Sequence, residues 1–224
     1  MKKLVVIIII LVIIYVGMVV YKNTAINAKQ ISINEIKNIE EYINKIYMWK
    51  EVTKEALPNF ETIEQADEKW IWEVVKKNIE EEAPTYEQIE EEANDIFGQA
   101  FSKEFKKEGT ESIVYNSQTE NYNLVQVELD DKIDMFLLNK IEKTNQGYEV
   151  EIIEYLEDNS QLFSGNSENF VIIKNANDEE IGRISGTIEG EATELVKRNI
   201  EKFTKKKIKL KKENEKLYVE KIYN

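Results

Sequence analysis

Residues Lys140 to Leu156 read Lys-Ile-Glu-Lys-Thr-Asn-Gln-Gly-Tyr-Glu-Val-Glu-Ile-Ile-Glu-Tyr-Leu. Tyr148, Val150 and Ile152 alternate with glutamates, the period-2 pattern of a strand with one face in a core and the other in water. Asn145-Gln146-Gly147 just before them is turn chemistry, with Gly147 expected to supply the positive φ that a tight turn needs. The segment therefore predicts a β-hairpin. Ile153 and Tyr155 then fall on the opposite parity, which predicts a bulge and a bent sheet.

The same period extends in both directions. Upstream, Val125, Val127 and Leu129 alternate with Gln126 and Glu128, and Ile133, Met135 and Leu137 follow an Asp130-Asp131 turn. Downstream, Phe170 to Ile173 and Ile181 to Ile188 form a pair around Asn175 to Glu180, and Gly190 to Phe203 reads as a short helix. Ile208 and Leu210, a turn at Glu213-Asn214-Glu215, then Leu217, Val219 and Ile222 close the chain with another hairpin.

Before Gly109 the period is that of a helix. Ser32 with Glu35 fits a capping box, and Ile36, Ile39, Ile43 and Ile46 make one apolar stripe on a helix expected to run to about Lys54. Pro58 closes that region. Thr62 with Gln65 suggests a second box, opening a helix whose Trp70, Ile71, Val74, Val75 and Ile79 share a face. Pro84 and Thr85 with Gln88 open a third, with Ile89, Ala93, Ile96, Phe97, Ala100 and Phe101 as its stripe and Gly109 as its stop. The fold class is α+β: about three helices packed on a bent antiparallel sheet. One domain is expected over 32–224, with a helical half at 32–109 and a strand-rich half at 110–224.

At the N-terminus, Lys2 and Lys3 precede an uninterrupted apolar run from Leu4 to Tyr21. At about 1.5 Å per residue this run spans roughly 27 Å of hydrocarbon as a helix, which just crosses a bilayer. Its Ile and Val content would favour a strand in water, but a strand in lipid leaves backbone groups unpaired. The expected organisation is a cytoplasmic tail at 1–3, a transmembrane helix at 4–21, a linker at 22–31 and an extracytoplasmic domain beyond, since the two lysines favour an N-terminus inside. A cleavable signal ending near Ala25 or Ala28 is the alternative, and it would give a secreted domain. A lipoprotein needs a cysteine after the run and a type IV prepilin needs a Gly before it and a Glu inside it. Neither pattern is present.

Composition removes many chemistries. The chain contains no Cys and no His, which excludes disulfides, Cys nucleophiles, structural zinc sites and Ser-His-Asp triads. The net charge of −13 argues against nucleic acid, whose binding depends on Lys and Arg releasing counterions. Arg183 and Arg198 are the only arginines against many Lys, Ile, Asn and Glu, a bias of A+T-rich bacterial genomes. Carboxylate-based hydrolysis remains chemically open.

Helices followed by a bent sheet that ends in the hairpin Lys-Ile-Lys-Leu-Lys-Lys-Glu-Asn-Glu-Lys-Leu-Tyr-Val-Glu-Lys-Ile resembles the NTF2-like superfamily, over roughly residues 32 to 222. The likeness is architectural, and a cystatin-like arrangement is a second match. The NTF2-like resemblance implies a pocket between the sheet's concave face and the helices. Such folds host enzymes, ligand binders and interaction modules alike, so the fold does not give the function. Many enzymatic members use a His in the pocket, which this chain lacks.

Candidate ligand or partner surfaces are Trp49, Trp70 and Trp72, which fit a core equally well, and the basic cluster Lys205, Lys206 and Lys207 with Lys209, Lys211 and Lys212. The lysines suit anionic head groups or wall polymer, or else the exposed face of an edge strand. Glu80-Glu81-Glu82 and Glu90-Glu91-Glu92 could gather a cation but read as solvated helix ends. Asn175, Asn177, Asp178, Glu179 and Glu180 carry calcium-type atoms in hairpin-turn spacing. No catalytic, metal or cofactor residue is assigned. The expected function is a membrane-anchored binding or protein-interaction module of the bacterial envelope, its partners the membrane through 4–21 and an envelope protein or small ligand. The alternatives are a carboxylate-dependent hydrolase and a structural dimer through the first helix, the dimer being disfavoured because the stripe covers only about one and a half heptads.

Overall fold

The computed structural model describes residues 31–98, 109–125, 131–162, 170–185, 188 and 190–224. The apolar run at 4–21 and its linker lie outside these residues, as do Ala100, Phe101, Val127 and Leu129. Among the described residues the protein is α+β, with five α-helices, a six-stranded antiparallel sheet and a separate two-stranded hairpin.

Helix α1 (Ile33–Ile46) starts at the expected capping box: Ser32 Oγ accepts the Glu35 N–H and Glu35 returns the bond to the Ser32 N–H. It ends at Ile46 rather than near Lys54. Tyr47 to Trp49 run extended, α2 (Lys50–Thr53) adds one turn, and Lys54 turns the chain at φ 52°. The second box does not form either. Thr62 caps nothing, Gln65 accepts the Glu61 N–H, and α3 (Glu68–Asn78) is capped by Asp67. Helix α4 (Tyr86–Phe97) has its Thr85–Gln88 box but stops at Gly98, not at Gly109.

Strands β1 (Ile113–Asn116) and β2 (Asn121–Leu124) form the small hairpin, fastened to α3 where the Ser112 hydroxyl donates to the buried Glu73 carboxylate. In the large sheet β3 (Lys132–Lys143) runs the length of one edge of β4 (Gly147–Asp158). The other edge of β4 is shared: β7 (Thr204–Glu213) takes Gly147 to Glu154 and β5 (Val171–Lys174) takes Leu156 to Asp158. Strand β6 (Glu180–Ile184) lies outside β5 and β8 (Lys216–Tyr223) outside β7, while α5 (Glu191–Arg198) lies between β6 and β7 in the chain.

The parity change at Ile153 has a different cause from the one expected. Strand β4 pairs with β7 without a break, and the bulge sits opposite it, at Asn139 of β3. Both faces of β4 are simply covered. Tyr148, Val150 and Ile152 join the main core with α1, α3 and α4, whereas Ile153 and Tyr155 join a second core with Val171, Ile173, Val196 and Phe203. Neighbouring isoleucines thus point into different cores, both with no exposed surface.

Gly147 is also needed for a different reason. It lacks the positive φ, but a Cβ on it would lie 2.1 Å from the Leu210 carbonyl oxygen of β7. Only glycine lets β7 approach at this register. Gly147→Ala should therefore lower stability by about 1–3 kcal/mol, the usual range for forced overpacking, read as a drop in the urea midpoint. An unchanged midpoint would show that β7 does not pack as described.

Candidate functional site

One group of polar side chains held away from water gathers where α1 breaks. Asp134, Phe136 and Leu138 of β3 share a face with Glu154 of β4 and Lys206 of β7, since Phe136 stands opposite Glu154 and Lys206 opposite Ile152. Asp134, Glu154 and Lys206 are all buried. The break in α1 covers them: Tyr47 packs its ring on Phe136 at 5.0 Å and donates its hydroxyl to the Met135 carbonyl at 3.0 Å. Asp134 accepts the Lys50 N–H at 2.8 Å and so caps α2 from another strand, Trp49 offering no side-chain cap. Lys206 reaches Asn59 at 2.8 Å and Glu55 at 3.3 Å.

Glu154 is the strained member. It is 4% exposed, and its Oε1 has no hydrogen-bond partner among the described residues. Burial raises its pKa; Lys50 and Lys206 oppose this, while Asp134 and Glu55 add to it. Burial likewise raises Asp134 against the pull of Lys50, and burial with the nearby Glu154 and Asp134 charges pushes the Tyr47 phenol well up. Both carboxyls therefore hold their protons more readily than exposed ones would. Chemistry on a substrate would need a cleft before them, and the larger concavities lie elsewhere.

One of these, about 500 Å³, runs along β8 between the turn Glu61–Glu64 and the end of α4. Ile63, Phe97 and Tyr218 give it apolar walls, and Lys221, paired with Glu61, and Lys209, paired with Glu220, give it a charged rim. Gly98, at φ 96°, belongs to its shape, because a Cβ there would press on the Tyr218 ring at 3.3 Å.

The residues singled out from sequence do not meet in one place. Trp70 and Trp72 have no exposed surface: the Trp70 indole donates to Ile46 and Ala56 carbonyls, and Trp72 packs on Tyr122 at 5.7 Å. Both belong to the main core, which the helices share with Tyr148, Val150 and Ile152 of β4. Trp49 is half-buried at the α1 break. Lys205 is exposed, Lys206 is buried in the cluster above, and Lys207 stands opposite Glu151. The expected edge strand is not an edge, since β7 lies between β4 and β8, and its outward lysines face glutamates: Lys207 opposite Glu151 and Lys209 opposite Glu149.

Of the acidic groups, Glu81 accepts a Gln88 hydrogen bond, and Asn175 spends its Oδ1 on the Asn177 and Glu179 N–H groups as a turn. Among the described residues no three acidic side chains are placed to hold a metal ion. The stripe of α1 is spent inside its own domain, with Ile39, Ile43 and Ile46 wholly buried.

Asp134, Glu154, Tyr47 and Lys50 were not singled out from sequence. The one available signal was Glu154 itself, a glutamate inside Ile-Ile-Glu-Tyr-Leu, where apolar residues of both parities mark a strand covered on both sides. No protein-family model, characterised protein or solved structure matches the chain.

A carboxyl whose pKa is raised by folding stabilises the fold below its unfolded value and loses that contribution as pH rises through the folded value. Starting from an ordinary value of 4.5, Glu154 should make the protein less stable as pH rises above about 4.5. Urea midpoints taken across pH 4 to 7 should fall for the natural chain and stay flatter for Glu154→Gln. Identical profiles would mean that Glu154 is not desolvated.

Proposed function

We propose that the chain is a membrane-anchored, extracytoplasmic binding or protein-interaction module of a bacterial envelope, its domain arranged on NTF2-like lines. The observation that carries this reading is the contrast between the two polar regions. The buried carboxylates Asp134 and Glu154 lie under Tyr47 and α2, whereas a mixed apolar and charged groove opens at β8. A groove with an aromatic wall, an apolar floor and ion-paired lysines on its rim suits recognition of a peptide segment or small ligand. A hydrolase of the paired-carboxylate type needs its two acids on either side of an open cleft.

Helices that precede the sheet and cover one face of it, together with the bulge at Asn139, support the NTF2-like arrangement. The second core on the opposite face is an addition to that pattern. The anchor rests on residues 4–21, because no helix among the described residues is long and apolar enough to cross a membrane.

In a bacterial host the chain should remain with the membranes after an alkaline carbonate wash, and protease added to intact protoplasts should degrade it. Release by the wash, or full protection from protease, would overturn the location. Recovery of a stoichiometric partner or ligand from gently solubilised membranes should be lost on Tyr218→Ser with Lys221→Glu, changes at half-buried groove positions. Retention of the partner by that variant would move the binding surface elsewhere.

A further inference from the structure

Three features meet at one end of the molecule: the first turn of α1, the β3–β4 turn at 144–146 and the β7–β8 turn at 214–215. Glu35 holds the first two together. Its Oε1 accepts the Tyr148 hydroxyl at 2.7 Å and the Lys143 ammonium at 3.0 Å, and its Oε2 accepts the Ser32 N–H at 2.8 Å. The Lys212 N–H donates to the Gln146 carbonyl at 2.8 Å and joins the two sheet turns. Ile31, where the described chain begins, is buried in the main core, so the chain leaves this end from a fixed point. Ile33 beside it is 71% exposed, an unusual position for a large apolar side chain.

The other end is far away. Strand β4 starts at this tip with Gly147 and runs 12 residues to Asp158, roughly 40 Å at about 3.3 Å per residue. Helix α1 runs beside it, with its first turn at the tip and Tyr47, just past its last turn, on Met135. Residues 22–30, between the apolar run and Ile31, reach about 30 Å fully extended and roughly 16 Å as a flexible chain. Either reach is shorter than β4. The net charge of −13 also disfavours laying an arbitrary face on an anionic bilayer, whereas at the tip Lys143 and Lys212 are balanced by Glu35 and Glu215, and the tether adds Lys22 and Lys29.

We propose that this tip is the membrane-facing surface of the domain. Ile33 and the two sheet turns lie against the head groups of the bilayer that holds residues 4–21, and the end with Trp49, Asp134 and the turn after β4 at Asn159 and Ser160 points away from it. The inference rests on the anchor reading of residues 4–21.

The chain has no cysteine, so single ones can be placed at will. The full-length protein carrying Asn34→Cys or Asn145→Cys at the tip, or Ser160→Cys in the exposed turn after β4, would be labelled with a fluorophore. Each would be reconstituted into vesicles of phosphatidylethanolamine and phosphatidylglycerol containing a head-group spin-label quencher. The tip labels should be quenched at least twofold more than the label at position 160. Equal or reversed quenching in protein that stays with carbonate-washed vesicles would overturn the orientation alone. Protein washed off the vesicles would overturn the anchor reading and this inference with it.

Discussion

Everything in this fold leans on β4 being covered on every side. It is paired along both edges and packed on both faces, and Ile152 and Ile153, adjacent in the chain, each lose all exposure into a different core. At about 25 cal/mol per Å² of apolar surface removed from water, such side chains contribute roughly 2–3 kcal/mol each. A strand in this position leaves few places where a polar group can sit. Glu154 occupies one of them, which is why its desolvation must be offset by lysines from α2 and β7.

The same constraint explains the irregular path of the helical half. To cover Glu154 and Asp134, α1 has to stop at Ile46 so that Tyr47 can reach the Met135 carbonyl and Lys50 can offer its N–H to Asp134. The free edge of β8 is closed by local means, through paired backbone bonds between Phe60 and Ile222. On the outward face Lys207 and Lys209 of β7 stand opposite Glu151 and Glu149 of β4.

What could be read from sequence was local. The boxes at Ser32–Glu35 and Thr85–Gln88, the strand alternation and the closing hairpin depend on residues a few positions apart, and the α+β class followed from them. What failed depended on distant partners. Thr62–Gln65 has the right residues, but Asp67 lies nearer the helix that forms. Tyr47 to Trp49 contain no turn residue, and the helix breaks there because of groups on β3. Alternating lysines look the same on an edge strand and on an interior strand flanked by glutamates, and Gly147 looked like a turn residue because its closest neighbour, Leu210, is remote in the chain. The candidate site was least legible for the same reason: Asp134, Glu154, Lys206 and Tyr47 come from four separate segments.

Native-state hydrogen exchange of the described domain's backbone amides tests the central role of β4 most directly. If β4 binds the two cores into one cooperative unit, amides of β4, β5 and α3 should converge on a single opening free energy as denaturant is added. Amides of β5 and α5 that open several kcal/mol below those of α3, while β4 stays protected, would show that the second core is an independent attachment and would contradict the account.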